Sequence, residues 1–198
     1  MRVVLATGNP GKLQELQAML GPLGIEVLPL SQFTRAAVAE TGLTFVENAI
    51  IKARHAAQLA RLPSIADDSG LEVAALQGAP GIYSARYAGE HASDDDNLRK
   101  LLAALAGRKS AERSARYCCA LVYMRWEHDP FPLISQASWE GRIAEAPRGS
   151  GGFGYDPIFE LPQRSVTVAE LPAAEKNQLS HRGQALRGLV AQLQRAVR

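Results

Sequence analysis

The sequence predicts an α/β fold with a mixed β-sheet. In the first half of the chain, short apolar runs typical of strands alternate with segments of helical periodicity. In the second half, two long strand patterns, 114–126 and 133–140, follow each other through a proline-containing turn. The 198 residues, 46% of them hydrophobic, suit a single domain, 1–198, with two lobes and a ligand cleft between them.

Apolar patterns in the first half predict, in order, a buried strand, a helix and a second strand, over residues 2–6, 11–20 and 24–30. A longer helix is expected after Thr44, because Thr44 and Glu47 form a T-x-x-E capping box ahead of an apolar series with helical spacing. Pro63 closes that segment, since a proline inside a helix removes a backbone hydrogen bond.

The second half combines polar corners with longer elements. Residues 64–70, SIADDSG, are expected to be a short strand that runs into a polar corner. Residues 93–107 have helical spacing, and the three aspartates 94–96 fit its first turn because carboxylates complement the helix dipole; we interpret them as a solvated helix start, not a metal site. The glycine-rich segment 148–159 is expected to be a loop that enters a strand, and the run from Ser180 a helix.

Composition excludes several classes of protein. The formal net charge is only +2 and the basic residues are dispersed, so neither nucleic acid nor a membrane surface is expected as a partner. The N-terminal apolar run is too short for a signal peptide, and no stretch reaches transmembrane length, which predicts a soluble cytoplasmic protein. Cys118 and Cys119 are adjacent in a strand pattern, so they are expected to be buried free thiols on opposite faces.

The segment 5–16, LATGNPGKLQEL, places a lysine at a strand-to-helix corner. Such a corner presents backbone N–H groups and the positive end of a helix dipole, which suit a phosphate, and Lys12 adds a full charge. It is not a Walker loop, because Ala6 and Leu13 stand where that motif has glycine and serine or threonine. The alternative is an ordinary turn whose glycines serve geometry alone.

Carboxylates gather at the end of the predicted strand 64–70. Asp67 and Asp68 are consecutive, so they face opposite ways if the strand continues; the alternative is an Asx-turn with Gly70 at its corner. Glu40 supplies a further acid before a glycine turn. A few carboxylates with open water positions suit magnesium carried by phosphate oxygens, whereas the histidines and cysteines show no zinc spacing.

Three further groups are candidates for ligand contact. Lys52 shares a helix face with Asn48, four residues earlier, although a solvated lysine is the alternative. Phe153 and Tyr155 lie on the glycine loop, where aromatic rings can stack on a base or simply pack in the core of a hairpin. Three hydrogen-bond donors lie close together in the sequence near a helix start: Lys176, His181 and Arg182. They could contact a ligand, or they could form an ordinary surface cluster.

Six sequence blocks, spread in order over nearly the whole chain, carry a family resemblance: TGNPGK, ETGLTFVENAIIKA, ADDSGLEV, GAPGIYSARYAG, GGFGYDPIF and EKNQLSHRGQAL. Together they closely resemble the inosine triphosphate pyrophosphatase family, the house-cleaning enzymes for deaminated purine nucleotides. The resemblance implies hydrolysis of ITP, dITP and XTP to the monophosphate and pyrophosphate, dependent on magnesium (Mg2+), by a homodimer. It also implies a central elongated mixed β-sheet flanked by helices, with the active-site cleft between two lobes.

The same resemblance implies a role for individual residues. The triphosphate would be bound by Lys52 and by the opening corner, Thr7, Gly8, Asn9, Pro10, Gly11 and Lys12. Glu40 and Asp68 would hold magnesium, and Asp68 would also be the general base, with Asp67 beside it and Ser69 on the ligand. The purine would stack on Phe153, within a wall formed by Phe153, Gly154, Tyr155 and Asp156. The base edge would be read by Lys176, His181 and Arg182.

Two other functions remain open from the sequence. A related house-cleaning pyrophosphatase for other modified nucleotides would share much of this pattern, and a nucleotide-binding sensor without turnover would keep the binding residues. Phe153 and the donors at His181 argue against the first, and the acids Glu40 and Asp68 argue against the second.

Overall fold

The computed structural model describes residues 1–196. Its strands are β1 (Arg2–Ala6), β2 (Glu26–Pro29), β3 (Ser64–Val73), β4 (Ser114–Met124), β5 (Leu133–Ile143), β6 (Phe159–Leu161) and β7 (Val166–Thr167). Its α-helices are α1 (Pro10–Leu20), α2 (Phe45–Ala60), α3 (Asp94–Ala104), α4 (Ala173–Leu179) and α5 (His181–Ala196). No helix within residues 1–196 has the length and apolar character needed to cross a bilayer.

The strands form one seven-stranded sheet in the order β2-β1-β3-β4-β5-β6-β7. β1 pairs in parallel with both β2 and β3, whereas β6 pairs antiparallel with β5 and β7. The mixed sheet flanked by helices that the sequence predicts is therefore confirmed. The parallel strands lie where strands alternate with helices in the chain, because a parallel pair needs a crossover connection.

The chain forms two compact units, and the domain assignment 1–198 stays a prediction. The first unit comprises Met1–Asp68, Cys119–Ala137 and the described part of Arg182–Arg198. Its strands are covered on both faces: one core cluster joins β1 and β3 to α1 and α5, and another joins the same strands to α2. Side chains alternate between the two clusters along β1, because successive residues of a strand point to opposite faces.

Helix α2 begins directly after Thr44, as the sequence predicts, and α1 begins at Pro10, one residue before its predicted start. The side chain of Asn9 caps α1 by accepting the backbone N–H of Lys12, and Pro10 is the first helical residue. Thr44 caps α2 by accepting the backbone N–H of Glu47, and the Glu47 carboxylate accepts the Thr44 hydroxyl. These caps fix the first turns of the two helices that carry Lys12 and Lys52.

The second unit comprises Ser69–Cys118 and Ser138–His181. Its core joins side chains of β3, β4 and β6 to α3, including Leu71, Tyr117, Phe159 and Leu101. Ser93 caps α3 in a reciprocal capping box with Asp96, so the three aspartates 94–96 form the first turn, as the sequence predicts.

Two structural expectations, the polar corner after Asp67 and the burial of Cys118, are wrong. The polar corner at residues 67–70 does not form, because β3 continues unbroken from Ser64 to Val73. Both aspartates are buried there, and charged partners on each face of the strand compensate them. Cys118 and Cys119 are free thiols, but only Cys119 is buried and Cys118 is partly exposed.

Candidate functional site

The consecutive aspartates of β3 take part in two separate ion-pair groups. Asp67 pairs with Lys12 on α1 and with Arg182 on α5, which belong to one face of the sheet in the first unit. Asp68 pairs with Lys52 on α2, which covers the other face. The alternation of a continuous strand therefore divides the two carboxylates between the two helical layers.

Asp67 is held as a carboxylate by two cations. Lys12 Nζ lies 2.6 Å from Asp67 Oδ1, and Arg182 Nε donates to Asp67 Oδ2 at 2.8 Å. Burial alone would raise the pKa of Asp67, but the charges of Arg182 and Lys12 hold that pKa well below its ordinary value. Arg182 also pairs with Glu15 of α1, so this arginine joins α5 to both α1 and β3.

Asp68 has a different environment. Lys52 Nζ donates to Asp68 Oδ1 at 2.5 Å and to Glu40 Oε1 at 3.1 Å. Burial raises the pKa of Asp68 above its ordinary value despite the opposing charge of Lys52. Burial would lower the pKa of Lys52, but the charges of Asp68 and Glu40 outweigh it and raise that pKa. The pKa of both groups can be raised because Lys52 faces two carboxylates, which favour its charged form, whereas the negative charge of Glu40 opposes ionisation of Asp68.

The two carboxylate oxygens of Asp68 have different surroundings. Asp68 Oδ2 is buried and has no hydrogen-bond partner among residues 1–196. Within the same residues, no group of three or more histidine, cysteine, aspartate or glutamate side chains is placed to hold a metal ion. Asp68 and Glu40 place two carboxylates around one ammonium group, and one or two carboxylates are what magnesium typically takes when water and phosphate oxygens complete its shell.

The loop that carries Glu40 is held by the first turn of α2. The backbone N–H of Gly42 donates to Asn48 Oδ1 at 2.8 Å, and that of Leu43 donates to Glu47 Oε2 at 2.9 Å. A Cβ added at Gly42 would lie 2.5 Å from Glu47 Cβ and 2.8 Å from Asn48 Oδ1, so only glycine fits this approach. Asn48 is fully buried, which makes it a rigid support for the loop.

The corner before α1 is organised by its own side chains. Thr7 Oγ1 accepts the backbone N–H of Asn9 at 3.1 Å, and Asn9 Oδ1 accepts that of Lys12 at 3.1 Å. Pro10 and Gly11 are the first two residues of α1. A Cβ at Gly8 would meet nothing within 4 Å, so space does not explain that glycine. The helix N-terminus next to Lys12 is suited to an anion.

In the second unit, Asp156 is the centre of an aromatic cluster, which we define as Tyr117, Phe153, Asp156, Lys176 and His181. Asp156 Oδ1 accepts the Tyr117 hydroxyl at 3.1 Å, and Oδ2 accepts Lys176 Nζ at 2.6 Å and the Phe153 backbone N–H at 2.9 Å. Lys176 Nζ lies 4.6 Å from the centre of the Phe153 ring, and the His181 ring stacks on Tyr117 with centroids 4.6 Å apart. One buried carboxylate thus organises the loop, the lysine and the tyrosine.

Tyr155 and Gly154 of the glycine loop are each held by a hydrogen bond to another part of the second unit. The Tyr155 hydroxyl is buried and donates to the Ser84 carbonyl at 2.9 Å, and burial raises the pKa of Tyr155. The Gly154 backbone N–H donates to Asp94 Oδ2 at 2.7 Å, which fastens the loop to the first turn of α3. Ser69 follows Asp68 on β3 and is partly buried.

The model of the Ham1 family matches residues 3–192 of the chain.

The chain belongs to the Ham1 family.

A dITP/XTP pyrophosphatase of Vibrio parahaemolyticus is 61% identical over 192 residues, which is 97% of this chain and 96% of that relative. One of Thioalkalivibrio sulfidiphilus is 57% identical over 194 residues, covering 98% and 99% of the two chains. A solved Ham1 protein from Coxiella burnetii is 51% identical and superimposes with a TM-score of 0.89, covering 98% and 99%. The family predicted from the six sequence blocks is therefore confirmed.

In this Ham1-family chain, the structure brings some predicted residues together and adds others. Within the first unit, Lys12 and Arg182 share Asp67, whereas Lys52 joins Glu40 to Asp68. Sequence reasoning missed three contributors: Glu15, Tyr117 and Asp94. The local sequence offers one signal for Glu15, its helical spacing from Lys12. Its ion-pair partner Arg182 lies 167 residues away in the chain. Tyr117 could not be separated from the ordinary core aromatics of a strand.

Proposed function

We propose that this chain hydrolyses deaminated purine nucleoside triphosphates, ITP, dITP and XTP, to the nucleoside monophosphate and pyrophosphate. The relatives named dITP/XTP pyrophosphatase are similar over nearly the full length of the chain, which supports the same activity here. The observation that carries the proposal is Asp68, a buried carboxylate with a raised pKa and with one oxygen that has no hydrogen-bond partner within residues 1–196. Such a group is suited to take a proton from water.

Asp68 acts as the general base in this proposal. In the ligand-free protein Lys52 contacts Asp68 Oδ1, and the other oxygen, Oδ2, has no hydrogen-bond partner within residues 1–196. In this proposal Oδ2 accepts the proton of a water molecule that attacks the α-phosphorus. The bond between that phosphorus and the bridging oxygen breaks, and pyrophosphate leaves. A positioned base of this kind contributes roughly 10² to 10⁴ in rate.

The triphosphate is bound by the start of α1 and by lysines. The N-terminus of α1 presents backbone N–H groups, and Lys12 and Lys52 supply charge to the departing pyrophosphate. Glu40 and Asp68 would hold magnesium, which supplies further charge neutralisation on the phosphates when it is bound. Asp67 has the supporting task of orienting Lys12, because its own charge is already shared by Lys12 and Arg182.

The purine is bound by the aromatic cluster. Phe153 offers a ring for stacking, and Asp156 fixes the loop that carries it. Inosine and xanthine have an oxygen at position 6, which accepts hydrogen bonds from donors such as His181 and Lys176, whereas adenine presents a donor there. A donor that is buried without a partner costs about 1 to 3 kcal/mol, so ATP is disfavoured. Contact of Lys176, His181 and Arg182 with the base edge remains a prediction.

The homodimer and the cytoplasmic location implied by the resemblance are also proposals. Light scattering after gel filtration tests the dimer, which should have twice the mass of the 21.3 kDa chain. Dispersed basic residues support the proposal that nucleic acid is not a partner.

The proposed function is tested by measuring pyrophosphate release from ITP, dITP, XTP, GTP and ATP, each with and without magnesium. We expect rapid, magnesium-dependent release from the first three and slow release from GTP and ATP. Equal release from all five would contradict the account of base selection. Tight ITP binding without any pyrophosphate would instead indicate a sensor, and activity confined to modified pyrimidine nucleotides would indicate a different house-cleaning substrate.

A further inference from the structure

The ammonium group of Lys52 occupies the space between the two carboxylates proposed to hold magnesium. Its Nζ atom lies 3.1 Å from Glu40 Oε1 and 2.5 Å from Asp68 Oδ1. The side chains of Lys52 and Asp68 are only 14% and 9% exposed, so solvent screens this contact weakly. One cation therefore already satisfies the pair of acids that a second cation would need.

The parts of this group differ in how readily they move. The Glu40 loop is tied to α2 through Gly42 and the fully buried Asn48, and Asp68 belongs to the continuous strand β3. Lysine carries its charge at the end of four methylene groups with rotatable bonds, so the ammonium can change partners while α2 stays in place. Of Glu40, Lys52 and Asp68, Lys52 is therefore the residue whose charged group can most easily move away when another cation binds.

We propose that Lys52 is an internal cation that competes with a divalent metal ion for Glu40 and Asp68. This proposal rests on the proposed function only in taking those two acids as the metal ligands. Metal binding then displaces the ammonium, which needs a new anionic partner because an unpaired buried charge is costly. The phosphates of a nucleotide provide that partner, so metal and nucleotide bind more tightly together than either does alone.

The test measures binding of Mn²⁺ to the nucleotide-free protein at pH 8 by electron paramagnetic resonance. Mn²⁺ is the probe because it shares the preference of magnesium for oxygen ligands. Lys52→Met removes the competing charge, and we expect it to bind Mn²⁺ at least about tenfold more tightly than wild type, since two cations a few ångströms apart repel strongly. Lys52→Arg keeps the charge and should bind Mn²⁺ as weakly as wild type.

Lys100→Met is the matched control. It changes the net charge by the same amount, but Lys100 is an exposed lysine that contacts the carbonyl and ring of Tyr87, so its Mn²⁺ affinity should equal that of wild type. Circular dichroism confirms folding of each variant. If Lys52→Met does not fold, Lys52→Gln replaces it, with the same expected gain.

Unchanged or weaker Mn²⁺ binding by the neutral variant would overturn the proposal, and so would an equal gain in Lys52→Arg or Lys100→Met. These results are independent of turnover. If Lys52→Met binds Mn²⁺ more tightly but the wild-type protein releases no pyrophosphate from ITP, the competition is supported and the proposed function is contradicted. If the wild-type protein hydrolyses ITP but Lys52→Met does not bind Mn²⁺ more tightly, the proposed function is supported and the competition is contradicted.

Discussion

Replacement of Asp68 by asparagine should stop catalysis while leaving the fold intact. An amide has nearly the same shape as a carboxylate but accepts no proton, so kcat should fall by roughly 10² to 10⁴. Lys52 keeps Glu40 as a partner at 3.1 Å, so the variant leaves no buried ammonium without a counter-charge. The loss in free energy of unfolding should therefore be small, about 1 kcal/mol.

The adjacent substitution Asp67→Asn is the matched comparison, because the structure predicts a different result. It leaves the Lys12 ammonium, whose side chain is 15% exposed, without the carboxylate that it pairs with, whereas Arg182 keeps Glu15; Asp67 itself is only 1% exposed. Removing one partner of a buried ion pair costs about 3 to 5 kcal/mol. In a chain of this length that loss lowers Tm by on the order of 10 °C.

The assays are kcat from pyrophosphate release with ITP, and Tm from circular dichroism at the same pH. The reasoning would be refuted if Asp68→Asn kept kcat within about tenfold of wild type, below the range of a general base. It would equally be refuted if Asp67→Asn were as stable as Asp68→Asn, since the two carboxylates would then not differ in their support of the fold.

Three further changes probe separate parts of the molecule. Gly42→Ala puts a Cβ 2.8 Å from Asn48 Oδ1 and displaces the loop that carries Glu40, a predicted magnesium ligand. The magnesium concentration for half-maximal rate should therefore rise, and an unchanged concentration would contradict the role of the loop. Gly152→Ala puts a Cβ 2.0 Å from Asp156 Oδ2 at a φ of +74°, so the KM for ITP should rise while the magnesium requirement stays constant. The Arg125 side chain holds the pKa of Asp129 at about 2, below its ordinary value of 3.8, so Asp129 stabilises the fold fully above pH 4 and loses that contribution as the pH falls towards 2. Urea midpoints of wild type and Asp129→Asn should accordingly converge in acid; a constant difference would exclude this linkage.

Local patterns predict much of the fold because they act within a few residues. Thr44 and Glu47 satisfy the start of α2 from within its own segment, and Asn9 does so for α1, so both helix starts are visible in the sequence. The sequence wrongly predicts a corner at residues 67–70, because Asp, Ser and Gly favour turns. The partners that keep β3 extended there lie on α1, α2 and α5, which no local pattern reveals.

In the candidate site, too, local features can be predicted from the sequence and long-range partners cannot. The opposite orientation of Asp67 and Asp68 follows from strand geometry once the strand is known to continue. The central position of Asp156 cannot be predicted in this way, because its partners Tyr117 and Lys176 come from distant parts of the chain. Long-range pairs of this kind depend on tertiary packing, which residue type and spacing do not specify.

The most direct test of the central claim is hydrolysis of ITP in water enriched in oxygen-18, with both products analysed by mass spectrometry. Attack of water on the α-phosphorus predicts one labelled oxygen in the inosine monophosphate and none in the pyrophosphate. Label in pyrophosphate, or release of the diphosphate and inorganic phosphate, would show attack at another phosphorus and contradict the account.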